Sequence, residues 1–299
     1  MNASVRLLEE TLPATVHLQV TVPDEHPSAA VLGTERAGTG TLVDAAGLLV
    51  TVNYAVLGAR TITVTLTDGR ELAGELVAQD FPSGIAVVRV SGAGFPSLPL
   101  RSTPEISVGG DVFVLASVGG AGRRASSGGV TAVDLFDANW EYMLDPGIFT
   151  STMNPGLGGG PLVDPAGSLV GVVSLNLNEI GRFSLAIPIA HYRDHRDELL
   201  RFGRRPSRPS RAWLGLYCYT LRGHVVIAGL LPGAPAAAAG LTQGDVIIGV
   251  DDRTVGSRRE LYEGLWARRA GDRVALQVYR DDRLRTVEVP SEDVEEFFA

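Results

Sequence analysis

The sequence contains no lysine and only one cysteine. All 26 basic residues are arginines, and 34 acidic residues give a formal net charge of -8. This acidic balance argues against a nucleic-acid-binding protein, which usually carries a basic domain or stripe. The single thiol, Cys218, excludes an internal disulfide bond and a Cys-x-x-Cys metal site. We therefore expect no nucleic-acid partner, and we predict neither a metal site nor a cofactor.

Long apolar runs are missing as well. No window approaches about 18 uninterrupted apolar residues, so we expect no membrane span. The opening residues, MNASVRLLEETLPATV, lack the charged n-region and the apolar h-region of a secretory signal. Two localisations stay open: cytoplasmic if the chain is complete, and extracytoplasmic if a targeting segment was removed.

Glycine and proline, by contrast, are abundant, with 36 and 17 residues. Residues 15–190 contain apolar stretches of strand length, separated by Asp-Gly, Ala-Gly and Gly-Gly turns. Helical periodicity is almost absent before HYRDHRDELLRF (191–202), where Leu199, Leu200 and Phe202 share one side. The pattern predicts an all-β sandwich or a pair of barrels, followed by one helix.

A change of composition marks the end of this region. The stretch GRRPSRPSR (203–211) contains only Gly, Arg, Pro and Ser and cannot bury a core, so we interpret it as an interdomain linker. The order β-β-α-β-α-β-β that follows predicts a separate α+β domain. We predict a first domain at 1–202, the linker at 203–211, a second domain at 212–290 and an acidic-aromatic tail at 291–299.

Several stretches, in order, resemble the HtrA (Deg) family of serine proteases. The protease-like stretches are GTGTLVDAAGLLVTVNYAVLGA (38–59), TDGRELAGELVAQDFPSGIAVVRV (67–90) and NPGLGGGPLVDPAGSLVGVVSLN (154–176). WLGL (213–216) and GLLPGAPAAAAGLTQGDVIIGVD (229–251) are similar to the family's PDZ domain. The resemblance implies a mostly β fold: a chymotrypsin/trypsin-like double β-barrel followed by an α+β PDZ domain. It also implies homo- or hetero-oligomers, since the family commonly forms trimers.

The residues that align with the family's catalytic triad are of the wrong chemical types. The family's histidine lies in T-N-x-H-V-V, where this chain has TVNYAV and therefore Tyr54. Its aspartate position corresponds to Gly84 in DFPSGIAV, and its serine position to Gly158 in GLGGGP. A hydroxyl, an imidazole and a carboxylate are the groups that the triad needs. We therefore predict a degenerate triad at Tyr54, Gly84 and Gly158.

The family's oxyanion hole corresponds to the backbone N–H groups of Gly156 and Gly158. Two alternatives are open for these donors: a nest that holds a carbonyl or carboxylate, or a collapsed pocket that Leu157 fills. We favour the filled pocket, because apolar filling of a void is favourable. We interpret Asp80 as a turn residue and Ser127, in ASSGG, as structural.

A pair of histidines has a spacing that can hold a metal. His191 and His195 lie four residues apart on the predicted helix, but Asp194 is their only nearby further ligand. We interpret them as a solvated helix face.

The second domain retains the features of a peptide-binding module. PDZ domains bind extended C-termini by strand addition, and the backbone amides of an x-L-G-x turn hold the carboxylate. That turn corresponds to Trp213, Leu214, Gly215 and Leu216. Leu261 and Leu265 are the candidates for the opposite wall of the groove. The alternative is that these leucines are ordinary core residues.

These observations predict a protein that is not an enzyme. We expect a proteolytically inactive HtrA-like protein that binds polypeptide segments or C-termini through its PDZ domain, as an adaptor, a chaperone-like scaffold or a regulator of an active HtrA-type relative. The first alternative is a serine-type endopeptidase with residual or unorthodox activity. The second is a ligand or metal sensor that uses the vacated cleft.

Overall fold

The structure is a computed structural model that describes residues 3–101, 106–178 and 181–299. The chain divides into two compact units. The first unit comprises Met1–Leu135 with Asp145–Pro206, and the second comprises Phe136–Leu144 with Ser207–Ala299. The short segment 136–144 is therefore grouped with the second unit, although it precedes the predicted linker by about 60 residues of sequence. The boundaries predicted from sequence stay predictions.

The first unit begins with a closed antiparallel barrel. Its strands are Thr15–Thr21 (β1), Glu35–Leu42 (β2), Leu48–Val52 (β3), Thr61–Thr65 (β4), Glu71–Asp80 (β5) and Ile85–Val90 (β6). They are ordered β1-β2-β3-β6-β5-β4 around the barrel. Strand β3 is buried along its whole length, and β1 is buried except at Gln19 and Thr21. Apolar β-branched residues suit such positions because they pack well on a pleated surface.

A second closed barrel follows. Its strands are Asp111–Gly119 (β7), Gly122–Asp137 (β8), Met143–Thr150 (β9), Pro161–Val163 (β10), Leu169–Asn176 (β11) and Ser184–Pro188 (β12). Their order around the barrel is β10-β11-β12-β9-β8-β7. The predicted double barrel is confirmed.

The helices of the first unit are short. They span Ala3–Thr11 (α1), Ala29–Leu32 (α2), Asn53–Val56 (α3), Ala190–Arg193 (α4) and Arg196–Phe202 (α5). Helix α1 was not predicted from the sequence, although the buried Leu7 on it gives the helix an apolar contact with the unit.

The single helix predicted over 191–202 is wrong in detail. Helices α4 and α5 are separate, because His195 has φ -119° and ψ 11°, outside the helical region. Within α5, Leu199 is buried but Phe202 is 53% exposed, so the predicted apolar side is not realised.

The second unit is an α+β domain, as predicted. Its strands are Leu216–Leu221 (β13), His224–Leu230 (β14), Val246–Val250 (β15), Arg253–Thr254 (β16), Arg273–Arg280 (β17) and Arg283–Pro290 (β18). Its helices are Pro235–Ala238 (α6), Arg258–Leu265 (α7) and Val294–Phe297 (α8). The sheet order β13-β14-β15-β17-β18 leaves β13 at one edge, with β16 paired to β15. The Ser257 hydroxyl caps α7 by accepting a hydrogen bond from Glu260 N.

Candidate functional site

The three positions predicted to form a degenerate triad lie together in the first unit. Tyr54 lies on α3 directly after β3, Gly84 lies in the turn between β5 and β6, and Gly158 precedes β10. The N–H of Asn53 donates to the Gly84 carbonyl at 2.7 Å, which joins the first two positions. The Tyr54 side chain reaches the third position. The barrels thus assemble the place where the resemblance puts a catalytic centre.

Tyr54 occupies the space beside Gly158. Its hydroxyl donates a hydrogen bond of 2.8 Å to the Ser174 carbonyl on β11. A Cβ atom at position 158 would overlap the Tyr54 hydroxyl oxygen. Burial raises the pKa of Tyr54 to about 12, so the phenol is protonated at neutral pH.

The loop that carries Gly158 is fixed by backbone hydrogen bonds. Thr39 N donates to Gly158 O at 2.7 Å, and Gly159 N donates to Val173 O at 2.7 Å. Gly159 has φ +96°, and a Cβ there would overlap Thr39 O and the Thr51 hydroxyl oxygen. Only glycine therefore fits at position 159 without a rearrangement.

The predicted oxyanion donors lie in the same loop. Gly156 N donates to the Asn154 side-chain oxygen at 3.3 Å. Leu157, between the two glycines, is half-buried and donates its N–H to Ser117 O at 2.9 Å. The choice between an anion-holding nest and a filled pocket stays a prediction.

A hydroxyl–imidazole pair that the sequence did not indicate lies elsewhere in the first unit. Ser117 Oγ on β7 is 3.0 Å from His17 Nδ1 on β1. Burial and the nearby Arg123 guanidinium lower the pKa of His17. Ser117 and His17 are both buried, so the pair is shielded from a polypeptide.

The structure also shows the surroundings of Asp80 and Ser127, which we interpreted as non-catalytic. Asp80 is buried and forms an ion pair of 3.3 Å with Arg205, a residue of the predicted linker. Ser127 is exposed on β8, paired with Phe113.

Among the described residues, no cluster of three or more His, Cys, Asp or Glu side chains is arranged to hold a metal ion. His191 lies on α4, whereas His195 lies in the break before α5. The continuous helix assumed for their spacing is therefore not formed.

In the second unit, the predicted carboxylate-binding turn holds a carboxylate. Leu216 N donates to Glu141 Oε1 at 2.7 Å, and Leu214 N donates to Glu141 Oε2 at 3.0 Å. Gly215 between them has φ +78°, and a Cβ there would overlap the Ala234 Cβ. The glycine lets the turn point successive N–H groups at one acceptor.

Glu141 is buried, with 8% of its surface exposed. Burial raises the pKa of this carboxyl to about 7, while hydrogen bonds from the turn and the Arg211 charge act in the opposite direction. The burial of the carboxyl is thus only partly offset by the donors around it.

The apolar side chains predicted to line the groove belong to the core of the second unit. Leu214, Leu216, Leu261 and Leu265 are all buried there. Trp213 instead packs against the end of the chain, with ring-centroid distances of 4.8 Å to Phe297 and 5.9 Å to Phe298. Peptide-binding roles for these residues stay predictions.

The segment that contains Glu141 runs along β13. Cys218 N on this strand donates to Asn139 O at 2.6 Å, and Trp140 pairs antiparallel with Tyr217. On the other side, the Tyr262 hydroxyl on α7 donates to Ala138 O at 2.9 Å. Nothing in the sequence indicates this arrangement, since WEY (140–142) shows only an acidic residue between two aromatic residues.

Comparison with protein-family models identifies two domains. Residues 38–172 match the model of a trypsin-like peptidase domain. Residues 212–290 match the model of a PDZ domain.

Curated relatives match most of the chain. A protein of Halomonas elongata named probable periplasmic serine endoprotease DegP-like is 33% identical over 268 residues, which cover 84% of this chain and 55% of the relative. A protein of the same name from Pseudomonas fluorescens is 30% identical and matches 87% of this chain and 58% of its own length. The chain therefore spans a little over half the length of these relatives.

Solved structures share the fold. The HtrA-type protease AlgW with a tripeptide is 24% identical, with a TM-score of 0.60, and the match covers 98% of this chain and 97% of that one. The serine endoprotease from Yersinia pestis is 20% identical with a TM-score of 0.57, and the match covers 98% of each chain.

The comparisons correct one expectation. The sequence led us to predict that the chain is not an enzyme, on the grounds of its residues at positions 54, 84 and 158. That prediction is wrong, because the relatives that match the chain are named serine endoproteases and point to an enzyme. The same relatives are named periplasmic, and no helix in the described part of the chain is long and apolar enough to cross a membrane.

Proposed function

We propose that this chain, which belongs to the HtrA (Deg) family of serine proteases with a trypsin-like peptidase domain and a PDZ domain, recognises polypeptides by their C-terminal ends. The observation that carries the proposal is the contact between a carboxylate and the amides of Leu214 and Leu216. A peptide C-terminus presents the same group, two oxygens that only accept hydrogen bonds.

The edge position of β13 supports the same function. An extended peptide can add to an exposed strand edge and gain main-chain hydrogen bonds there. The pairing of Trp140 with Tyr217 and the hydrogen bond from Cys218 N to Asn139 O are contacts of this kind. The AlgW structure, described with a tripeptide, is a similar fold that holds a peptide.

Recognition of C-termini suits an adaptor, a chaperone-like scaffold or a regulator, and polypeptides are the partners we propose. Assembly into homo- or hetero-oligomers, including with an HtrA-type relative, is part of the same proposal. We also propose an extracytoplasmic location, since the relatives are named periplasmic.

Binding of labelled decapeptides tests the proposal. Fluorescein-labelled peptides ending in Phe, Val, Leu or Ala with a free carboxylate should bind at least about tenfold more tightly than the same peptides with an amidated end, because the lost charge-assisted hydrogen bonds are worth about 1.5–3 kcal/mol. Equal affinities for both forms would contradict carboxylate recognition.

A matched glycine pair locates the binding site. Gly215→Ala should abolish peptide binding, because its Cβ overlaps Ala234 and distorts the turn. Gly233→Ala is the control, since Gly233 has the same φ of +78° with no atom within 4 Å of a Cβ. Loss of binding in both variants, or in neither, would count against a site at the turn.

Endoproteolysis is a second candidate function, and the names of the relatives favour it. None of Tyr54, Gly84 and Gly158 carries an imidazole, a carboxylate or an alkyl hydroxyl, so this activity calls for a nucleophile from another position. Hydrolysis of fluorogenic casein together with covalent labelling by a fluorophosphonate probe would support it. Absence of both would contradict it.

A further inference from the structure

We infer that the segment 137–141 is an internal ligand of the PDZ groove, which a polypeptide C-terminus must displace in order to bind. The inference rests on the proposed function for the nature of the competing ligand. Its evidence comes from three sides of the segment: the turn, the edge strand and the helix.

At the turn, the carboxylate of Glu141 takes the donors that a peptide terminus needs. Each N–H of Leu214 and Leu216 donates to a Glu141 oxygen, at 3.0 and 2.7 Å. Each N–H group has one proton to donate, and Glu141 is buried against the turn. A second carboxylate therefore cannot use the turn while Glu141 is in place.

At the edge strand, the segment makes the contacts of an added strand. Its backbone pairs antiparallel with β13 through Trp140 and Tyr217, and Asn139 O accepts the Cys218 N–H. The other edge of β13 is paired with β14. A peptide that adds to β13 has only this edge to use, so it competes with the segment along its length.

At the helix, two side chains of α7 hold the start of the segment. The Tyr262 hydroxyl donates to Ala138 O at 2.9 Å. Arg258 pairs with the Asp137 carboxylate at 2.9 Å and donates to Asp137 O at 3.1 Å. The segment thus lies between β13 and α7, the two walls expected of a PDZ groove.

The segment is suited to displacement. Trp140, next to Glu141, is 41% exposed, and the Arg258–Asp137 pair is partly exposed, which limits the contribution of that pair to docking. The rise in the pKa of Glu141 shows that burial disfavours the charged carboxylate in the groove. The apparent affinity for a peptide equals the intrinsic affinity multiplied by the fraction of molecules in which the segment is released, so an occupied groove binds a peptide more weakly.

Glu141→Ala tests the inference, because it changes the occupant and leaves the turn intact. The decapeptides with free carboxylates should bind Glu141→Ala at least about tenfold more tightly than the wild type, since the variant removes the competing carboxylate. Asp137→Asn should give a smaller gain of about two- to threefold, as expected for loss of one partly exposed ion pair. Glu288→Ala, at an exposed glutamate on β18, is the matched control and should bind as the wild type does.

Hydrogen exchange gives a second measurement that needs no peptide. In Glu141→Ala the amide of Cys218 should exchange faster than in the wild type, because its partner Asn139 O is released. Glu288→Ala should leave this exchange unchanged.

The outcomes separate the two proposals. Peptide binding that is equal in the wild type and Glu141→Ala would overturn the internal ligand and leave C-terminal recognition standing. If neither protein binds any peptide, C-terminal recognition fails, and the exchange experiment decides the rest. Faster exchange in Glu141→Ala then supports a docked segment, and unchanged exchange overturns it.

Discussion

Position 158 of the peptidase domain and the carboxylate-binding turn of the PDZ domain are each contacted by a side chain of the chain itself, but in different ways. At Gly158, Tyr54 reaches across from a short helix that follows β3 of the first barrel, and its hydroxyl donates to a carbonyl on β11 of the second barrel. In the groove, Glu141 arrives on the segment between β8 and β9 and bonds to backbone amides. The contact of Tyr54 is formed between elements of the two barrels. The contacts of Glu141 and its neighbours are of the kind that a bound peptide also makes.

The two sites therefore differ in how easily the contacting residue can be displaced. A side chain held between two packed barrels moves only if the packing around it changes. A segment held by strand-addition contacts can be exchanged for another strand with little change in the groove. Substitutions at Tyr54 or in the loop of Gly158 should therefore alter the free energy of unfolding. Substitutions in the segment 137–141 should alter the affinity for peptides.

The largest effect is expected from the loop behind Gly158. Gly159→Ala places a Cβ on Thr39 O and the Thr51 hydroxyl at a positive φ, and we expect a loss of about 3 kcal/mol or more in the free energy of unfolding. Gly69→Ala is the control, because Gly69 has φ +86° and open space around its Cβ, and should cost about 1 kcal/mol. Chemical denaturation measures both. Similar losses would mean that the loop yields more readily than its packing indicates.

A smaller effect is expected from the contact between Tyr54 and Gly158. Gly158→Ala should lower the free energy of unfolding by about 1–3 kcal/mol through overpacking against the tyrosine hydroxyl. Tyr54→Phe removes that oxygen and its hydrogen bond, at a cost of about 1 kcal/mol. In a double-mutant cycle the combined loss should be smaller than the sum of the two. Additive losses would show that Tyr54 does not restrict position 158.

The third expected effect is a dependence of peptide affinity on pH. Glu141 has a pKa of about 7 when docked, above the value near 4.3 of an exposed glutamate. Between these values the docked segment holds a proton that the released segment lacks, so docking is strongest below the window and weakens as the pH rises through it. The part of the free energy of unfolding that docking contributes is therefore present at low pH and is lost as the pH rises.

Wild-type affinity for the carboxylate peptides should therefore rise by at least about tenfold from pH 5 to pH 8, and Glu141→Ala should show no such rise. The charged neighbours of this site are Arg211, Arg258 and Asp137. Burial raises the pKa of Cys218 and Tyr262, which keeps both groups neutral in this range. Fluorescence anisotropy across the pH series measures the effect, and an equal rise in both proteins would assign it to another group.

Much of the fold could be predicted from the sequence, because the signals are local. Runs such as GIAVVRV (84–90) and the Gly-rich turns indicate strands, and the ordered stretches that resemble the HtrA family indicate how the strands assemble. Helix α1 and the break at His195 were not predicted, because short helices depend on tertiary contacts more than on periodicity.

The candidate site was predicted only in part. The turn WLGL (213–216) was found because glycine at a fixed place in a motif has a backbone reason. Glu141 was not found, because its role depends on a contact with Leu214 and Leu216 more than 70 residues away in the chain. The prediction that the chain is not an enzyme was wrong for a different reason. It judged activity from the residues at three positions, whereas the names of the relatives point to an enzyme.

The attachment of the segment 137–141 to its own chain has a consequence for dilution. A ligand on a separate molecule leaves the groove as the protein is diluted, but a tethered ligand keeps the same effective concentration at any protein concentration. The fraction of closed grooves is then a fixed property of each molecule. Only a competing C-terminus, or a change in the protonation of Glu141, shifts it.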